Sequence, residues 1–136
     1  MVCILIEMYT GELFYETRED IEHLAMIEKQ CGPIPDWMAS GSLNHQMRSI
    51  FLRDGQTKIV ENYRMHINWP EAKRKSYQSW LKMKTLSHLV QHHYNKFHKS
   101  FLDLLEFMMI IDPSHRPSAR DCLNHDFFKL EIPDTD

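Results

Sequence analysis

Four histidines crowd one stretch of this chain: His88, His92, His93 and His98. His88 and His92 stand at i,i+4, a spacing that sets two imidazoles on one helix face and could chelate zinc. No cysteine lies nearby and no H-E-x-x-H occurs, so surface histidines on a basic helix are the preferred reading, and no metal is expected. The same region is rich in cations: Lys73, Arg74, Lys75, Lys82, Lys84, Lys96 and Lys99, with Tyr77 and Trp80 interleaved. Such a mixture can grip phosphates and stack bases. A solvated basic face accounts for it more simply, so nucleic acid is not an expected partner. Glu12, Glu16, Glu19, Asp20 and Glu22 form an acidic run. That run offers attraction to a basic partner, but acids also simply suit the first turn of a helix. The cysteines, Cys3, Cys31 and Cys122, are far apart and odd in number. That argues against a disulfide framework and for a reducing, intracellular compartment.

The elements that must position these residues are helices. The 136 residues amount to one domain or part of one. Apolar residues make up 43%, enough for a core. Four glycines and six prolines leave room for long helices. The longest apolar run, Val2 to Ile6, is far too short for a membrane span. It also lacks the flanks of a signal peptide. Charge is uneven: residues 1–38 sum to −6, residues 39–100 to +8 and residues 101–136 to −5. A basic middle between acidic ends reads as a separate surface element.

Val2 to Tyr9 reads as the end of a buried helix stopped by Thr10-Gly11, the glycine left-handed. A second helix is predicted from Asp20 to Cys31, capped by Thr17 or Asp20 and stopped by Gly32-Pro33. Its stripe is Ile21, Leu24, Ala25, Glu28 and Cys31. Phe51-Leu52 and Lys58-Ile59-Val60 flank Asp54-Gly55, which suits a hairpin turn. A helix is predicted from about Ser76 to Val90 or beyond. Phe101 to Ile111 reads as a core helix ending at Asp112-Pro113. Ser118 and Asp121 form a capping box for a last helix to about His125, packed down by Phe127 and Phe128.

Glu22-His23-Leu24-Ala25-Met26-Ile27-Glu28-Lys29 resembles the EHLAMMER signature of the LAMMER protein kinases, with Ile27 replacing a methionine and Lys29 an arginine. Gly32-Pro33-Ile34-Pro35 follows at the family's spacing. Cys3 to Glu7 is similar to the second half of the long central helix of the kinase C-lobe. Phe101 to Phe128 is similar to its last two helices, with Asp126 in place of the usual proline. Residues 39–99 match loosely and resemble the family's insert. The resemblance implies a mainly α fold: the lower part of a kinase C-lobe, a partial domain over residues 1–136. Its insert reads as irregular from Ala39 to about Ser76, with the short β-hairpin that the Asp-Gly turn suggests. The family's activity is ATP- and magnesium-dependent phosphorylation of serine and threonine, with tyrosine as a further acceptor. Its substrates include basic Arg/Ser-rich proteins, and it implies a nuclear location.

The same resemblance marks what is missing. Phosphoryl transfer needs a phosphate cradle, a phosphate-binding lysine, a catalytic aspartate and a metal-binding aspartate. The chain has no G-x-G-x-x-G and no V-A-I-K. His115-Arg116 is followed by Pro117, not aspartate, and Asp126-Phe127 by Phe128, not glycine. No catalytic, ATP-binding or metal residue is therefore assigned, and the chain alone is expected to be inactive. The D-V-W segment that opens the family's central helix is also absent. The implied partner is the remainder of a kinase domain; a stand-alone interaction module or half of a split kinase are the alternatives. Ile4 and Met8 match the positions that support the hydrophobic spine in kinases, and here are expected to be ordinary core residues. Arg116 matches the arginine that pairs with a glutamate in kinases. That glutamate is absent, so Arg116 is expected to be exposed, because a buried unpaired guanidinium is costly.

Overall fold

The computed structural model describes residues 1–41, 51–53, 65–67, 74–90 and 95–131. The elements are α1 (Val2–Thr10), α2 (Asp20–Cys31), α3 (Asp36–Gly41), β1 (Phe51–Arg53), β2 (Met65–Ile67), α4 (Arg74–Lys82), α5 (Leu86–Val90), α6 (Lys96–Met108), α7 (Ala119–Leu123) and a closing 3-10 turn, Asp126–Lys129. They fall into two compact units, one of residues 1–14 and 84–136, the other of residues 15–83.

The first unit is built on α6. Leu104 and Leu105 are its most buried side chains, and α5, α7 and the 3-10 turn all pack on it. Leu86, Val90 and Cys122 add to its buried apolar residues, as do Val2 and Ile6 of α1. α6 begins five residues before the Phe101 start that the apolar run suggests. The cause is Asn95, whose Oδ1 accepts hydrogen bonds from the Phe97 and His98 amides at 3.0 Å each. The helix also stops earlier, at Met108, and Ile110 and Ile111 fall outside it. α1 ends as expected: Gly11 takes φ 77° and ψ 4°, and its N–H bonds to the Glu7 carbonyl at 2.8 Å. The capping box of α7 is present in both directions. Phe127 packs on Phe101 at 5.5 Å between centroids. Phe128 does not pack down; it is 53% exposed, with its ring edge-on to Phe127.

The second unit centres on α2, with α4 against it. Ile21 and Ala25 form its buried seam, and Leu24 and Trp80 pack on them. The predicted span of α2 holds, but its start and stop differ in detail. The cap residue is Glu19, without a side-chain cap, in place of Thr17 or Asp20. Gly32 combines φ 88° with ψ 177°, so it is not in the left-handed helical well. That combination is open essentially to glycine alone. A third helix, α3, follows where irregular chain was expected to begin; Met38 and Ala39 donate to the Pro35 carbonyl.

Two further expectations change. The single helix from Ser76 to Val90 is interrupted. α4 ends at Lys82, and Thr85 starts α5: its carbonyl takes the His88 and Leu89 amides, and its hydroxyl bonds to Ser87 Oγ and His88 Nδ1. A hydroxyl residue at a helix start favours such a break. The hairpin has a different second strand. β1 pairs antiparallel with β2, Phe51 opposite Ile67, Leu52 opposite His66 and Arg53 opposite Met65. A tight turn at Asp54-Gly55 would set Phe51 opposite Lys58. Lys58 to Val60 and the Asp-Gly pair lie outside the described residues, as do His92, His93 and Lys73.

Candidate functional site

The signature segment, Glu22 to Lys29, lies wholly on α2. Its carboxylates act on the backbone around the helix. Glu22 is 2% exposed, and its Oε2 accepts the Arg18 amide at 3.3 Å, holding the chain just before α2. Glu28 Oε1 accepts the Ile34 amide at 3.1 Å, holding the chain just after it. The helical rise over six residues sets these two glutamates about 9 Å apart along the axis, one staple for each flank. Burial therefore removes Glu22 from the exposed acidic run, while Glu12, Glu16 and Asp20 remain exposed. Ala25 and Met26 are buried and Leu24 half-buried on the core side. His23 is exposed, with its ring 5.4 Å from that of Tyr15.

Trp80 belongs to the same arrangement and is no stacking platform for bases. Its indole Nε1 donates to the Ala25 carbonyl at 3.1 Å, and the ring packs on the Ile21–Ala25 seam. An indole N–H satisfied by backbone while the ring is covered is a structural anchor. Tyr77 lies against it, 5.3 Å between centroids.

Arg116 belongs to the other unit and is exposed, with Nε 2.7 Å from the Ile110 carbonyl and Nη2 2.9 Å from that of Ile111. The guanidinium thus occupies carbonyls left over where α6 has ended, which sequence matching alone does not reveal. Ile4 and Met8 are not core residues: they are 58% and 80% exposed. The reason is helical phase. Val2 and Ile6 take the buried side of α1, and positions two residues on lie about 200° around the helix.

Around the two motif-like segments the carboxylates make local contacts. Asp112 accepts hydrogen bonds from Ser114 Oγ at 2.6 Å and its amide at 2.8 Å, with His115 Nδ1 3.2 Å away. These contacts, Ser114 foremost, hold its carboxyl below the usual aspartate value. Asp126 is exposed and paired with Lys129 at 2.7 Å, which lowers its pKa. Both are local turn and surface contacts. Among the described residues no group of three or more histidine, cysteine or carboxylate side chains is placed to hold a metal ion. His88 and His98 each bond within their own helix start, to Thr85 and Asn95. No helix of the described residues is long and apolar enough to cross a membrane.

One feature escaped the sequence: Tyr9, Phe97, His98, Phe101 and Phe127 line an open aromatic depression of about 250 Å³ in the first unit. Locating Asn95 as a cap would have placed Phe97 and Phe101 one turn apart on the same side of α6.

The elements and their order define a class, the helical lobe of protein kinases. A kinase-domain crystal structure matches 93% of this chain with a TM-score of 0.70 and 30% identity, the match covering 33% of that chain. Within that class the chain is similar to the C-terminal part of LAMMER-type kinases. Serine/threonine-protein kinase AFC3 of Arabidopsis thaliana is 33% identical over 93% of the chain and 30% of its own length. Dual specificity protein kinase lkh1 of Schizosaccharomyces pombe is 34% identical over 96% of the chain and 17% of its own length. Dual specificity protein kinase CLK4 of Homo sapiens is 30% identical over 94% of the chain and 24% of its own length. The chain thus spans less than a third of the length of the curated relatives it matches. No protein-family model matches it.

Kinases as a class imply ATP and magnesium, and the residues present do not fit them. The sequence supplies neither a glycine-rich cradle nor a lysine-bearing strand; Pro117 stands where the catalytic aspartate would, and Asp126 is paired with Lys129.

Proposed function

We propose that this chain is the C-terminal helical part of a LAMMER-like protein kinase. The whole would transfer the γ-phosphoryl group of ATP, with magnesium, to serine and threonine, and to tyrosine as well. The observation that carries this reading is the match of 93% of the chain to kinases, combined with a sequence that holds none of the phosphate- or metal-handling motifs. The chain's own contribution is then a scaffold: α2 and its stapled flanks, and α6 with the Arg116 clasp. It transfers no phosphate and holds no ATP by itself. Basic Arg/Ser-rich proteins are the substrates proposed for the whole, supported by the exposed carboxylates of Glu12, Glu16 and Asp20. The nucleus is the proposed location.

The test is incubation of the purified chain with labelled ATP, magnesium and an Arg/Ser-rich peptide. The same mixture is then supplemented with a separately made kinase segment that carries H-R-D and D-F-G. Incorporation is expected only with the supplement. Incorporation by the chain alone, surviving stringent purification, overturns the scaffold role; none with a properly folded supplement favours a stand-alone interaction module.

A further inference from the structure

His125 stands between the end of α7 and the closing 3-10 turn, and its side chain caps that turn. Nδ1 accepts the Phe127 amide at 3.2 Å, and Nε2 lies 3.2 Å from Asp103 Oδ2 on α6. The Phe107 ring of α6 lies 5.7 Å from the imidazole, centroid to centroid. The imidazole is 12% exposed and the Asp103 side chain 74%. One largely covered histidine thus joins the turn to α6 through both of its ring nitrogens.

The two partners fix where the ring proton sits. A backbone N–H only donates, so Nδ1 must be bare to accept it. An ionised carboxylate only accepts, so the proton must be on Nε2. Both ends select the same neutral tautomer. An imidazolium cannot keep both bonds: a proton on Nδ1 makes that atom a second donor facing the Phe127 N–H. The bond to Asp103 becomes charge-assisted at the same moment, a small gain for so exposed a carboxylate.

Charged residues adjoining these contacts are Glu106 on α6, Arg120 and Asp121 on α7, and Asp126 and Lys129 in the turn. Asp121 is held by Ser118 and Asp126 by Lys129, although Asp126 is near enough to feel a charge on the ring. Asp103 alone is paired with the ring among the described residues. Histidine is the side chain that ordinarily changes charge between about pH 5 and 8. The carboxyls of Asp112, Asp121 and Asp126 are held below the ordinary 3.8 and stay ionised over that span.

We propose that His125 is a proton-operated latch. Neutral, it fastens the 3-10 turn to α6; protonated, it keeps Asp103 and releases the Phe127 amide. The Phe127 ring packs 5.5 Å from that of Phe101, so acid loosens this contact between the turn and α6.

Nuclear magnetic resonance on the full chain tests the latch. At about pH 7.5 the ring nitrogen shifts of His125 should show a bare Nδ1 and a protonated Nε2. From there to about pH 5.5, the Phe127 amide should exchange about two- to tenfold faster once the intrinsic effect of pH is removed. The Leu104 and Leu105 amides should stay protected throughout. His125→Asn keeps a cap acceptor that does not titrate and should abolish the acceleration. Asp103→Asn leaves the cap in place and removes the charge that favours the imidazolium, so release should move to lower pH. A protonated Nδ1 at about pH 7.5 overturns the proposal, as does Phe127 exchange that only follows the intrinsic rate. So does the same acceleration in the His125→Asn chain, an unmoved release in Asp103→Asn, or simultaneous loss of Leu104 and Leu105 protection, which would be general unfolding.

Discussion

Lys29 Nζ, on α2, lies 2.7 Å from the Trp80 carbonyl oxygen and 5.3 Å from the centroid of the same residue's ring. It also donates to the Leu81 carbonyl at 3.0 Å. One ammonium therefore caps the last turn of α4, where carbonyls lack helical partners and the dipole favours positive charge. The lysine at the end of the signature segment ties α2 to α4.

Lys29→Met keeps the aliphatic stem and removes the cap. Hydrogen bonds from charged groups are worth about 1.5–3 kcal/mol, less where water reaches them. A loss of about 1 kcal/mol is expected in urea unfolding, and Lys29→Arg should recover most of it. An unchanged midpoint for Lys29→Met would show that the cap contributes nothing.

Ser118 and Asp121 hold the start of α7 reciprocally. The Asp121 amide donates to Ser118 Oγ at 3.2 Å, while the Ser118 amide and hydroxyl donate to Asp121 Oδ2 at 2.9 and 2.5 Å. Ser118→Ala should cost about 1 kcal/mol, as cap removals do. Faster amide exchange at Asp121 and Cys122 than in the parent chain is the local readout.

The same contacts set an acid limit. Ser118, by its hydroxyl first and its amide second, lowers the Asp121 pKa, and Ser114 lowers that of Asp112. A carboxyl depressed in the folded chain binds protons less readily there than when unfolded. Its contribution is complete above the ordinary aspartate value of 3.8 and is lost as pH falls through the lower folded value. Urea midpoints should therefore decline below about pH 4. Ser118→Ala should flatten that decline; a slope identical to the parent's would remove Asp121 from the account.

Ile4 and Met8 leave one side of α1 apolar and open. Burying each such side chain is worth roughly 1.5–3 kcal/mol, so this face favours association. Ile4→Lys with Met8→Lys should lower the association seen by light scattering while the thermal melt stays close to the parent's. If the pair leaves association unchanged, the contact lies on another face.

Local signals carried much of the reading. The span of α2 was legible because its apolar stripe and the Gly32-Pro33 stop agree, and the α7 box because Ser118 and Asp121 stand three apart. Gly11 was legible because only its backbone freedom suits the turn. The signature and the order of the motifs likewise pointed to the kinase lobe without coordinates. What sequence could not rank were competing partners for the same group. Two helix starts, at Thr85 and Asn95, were hidden because a polar residue caps a helix only when the turn beyond it packs. Phase alone made the Ile4 and Met8 face apolar, but packing within the folded unit made the Val2–Ile6 side the buried one. Glu22 and Glu28 read as charges on a signature; only the folded flanks brought the Arg18 and Ile34 amides to them. Sequence determined the spans of α1 and α2 and the start of α7, since propensity, cap and stop signals act within a few residues. Tertiary structure decided which faces are buried and which rings line the aromatic depression, because those depend on residues as far apart as Tyr9, Phe101 and Phe127 meeting in space.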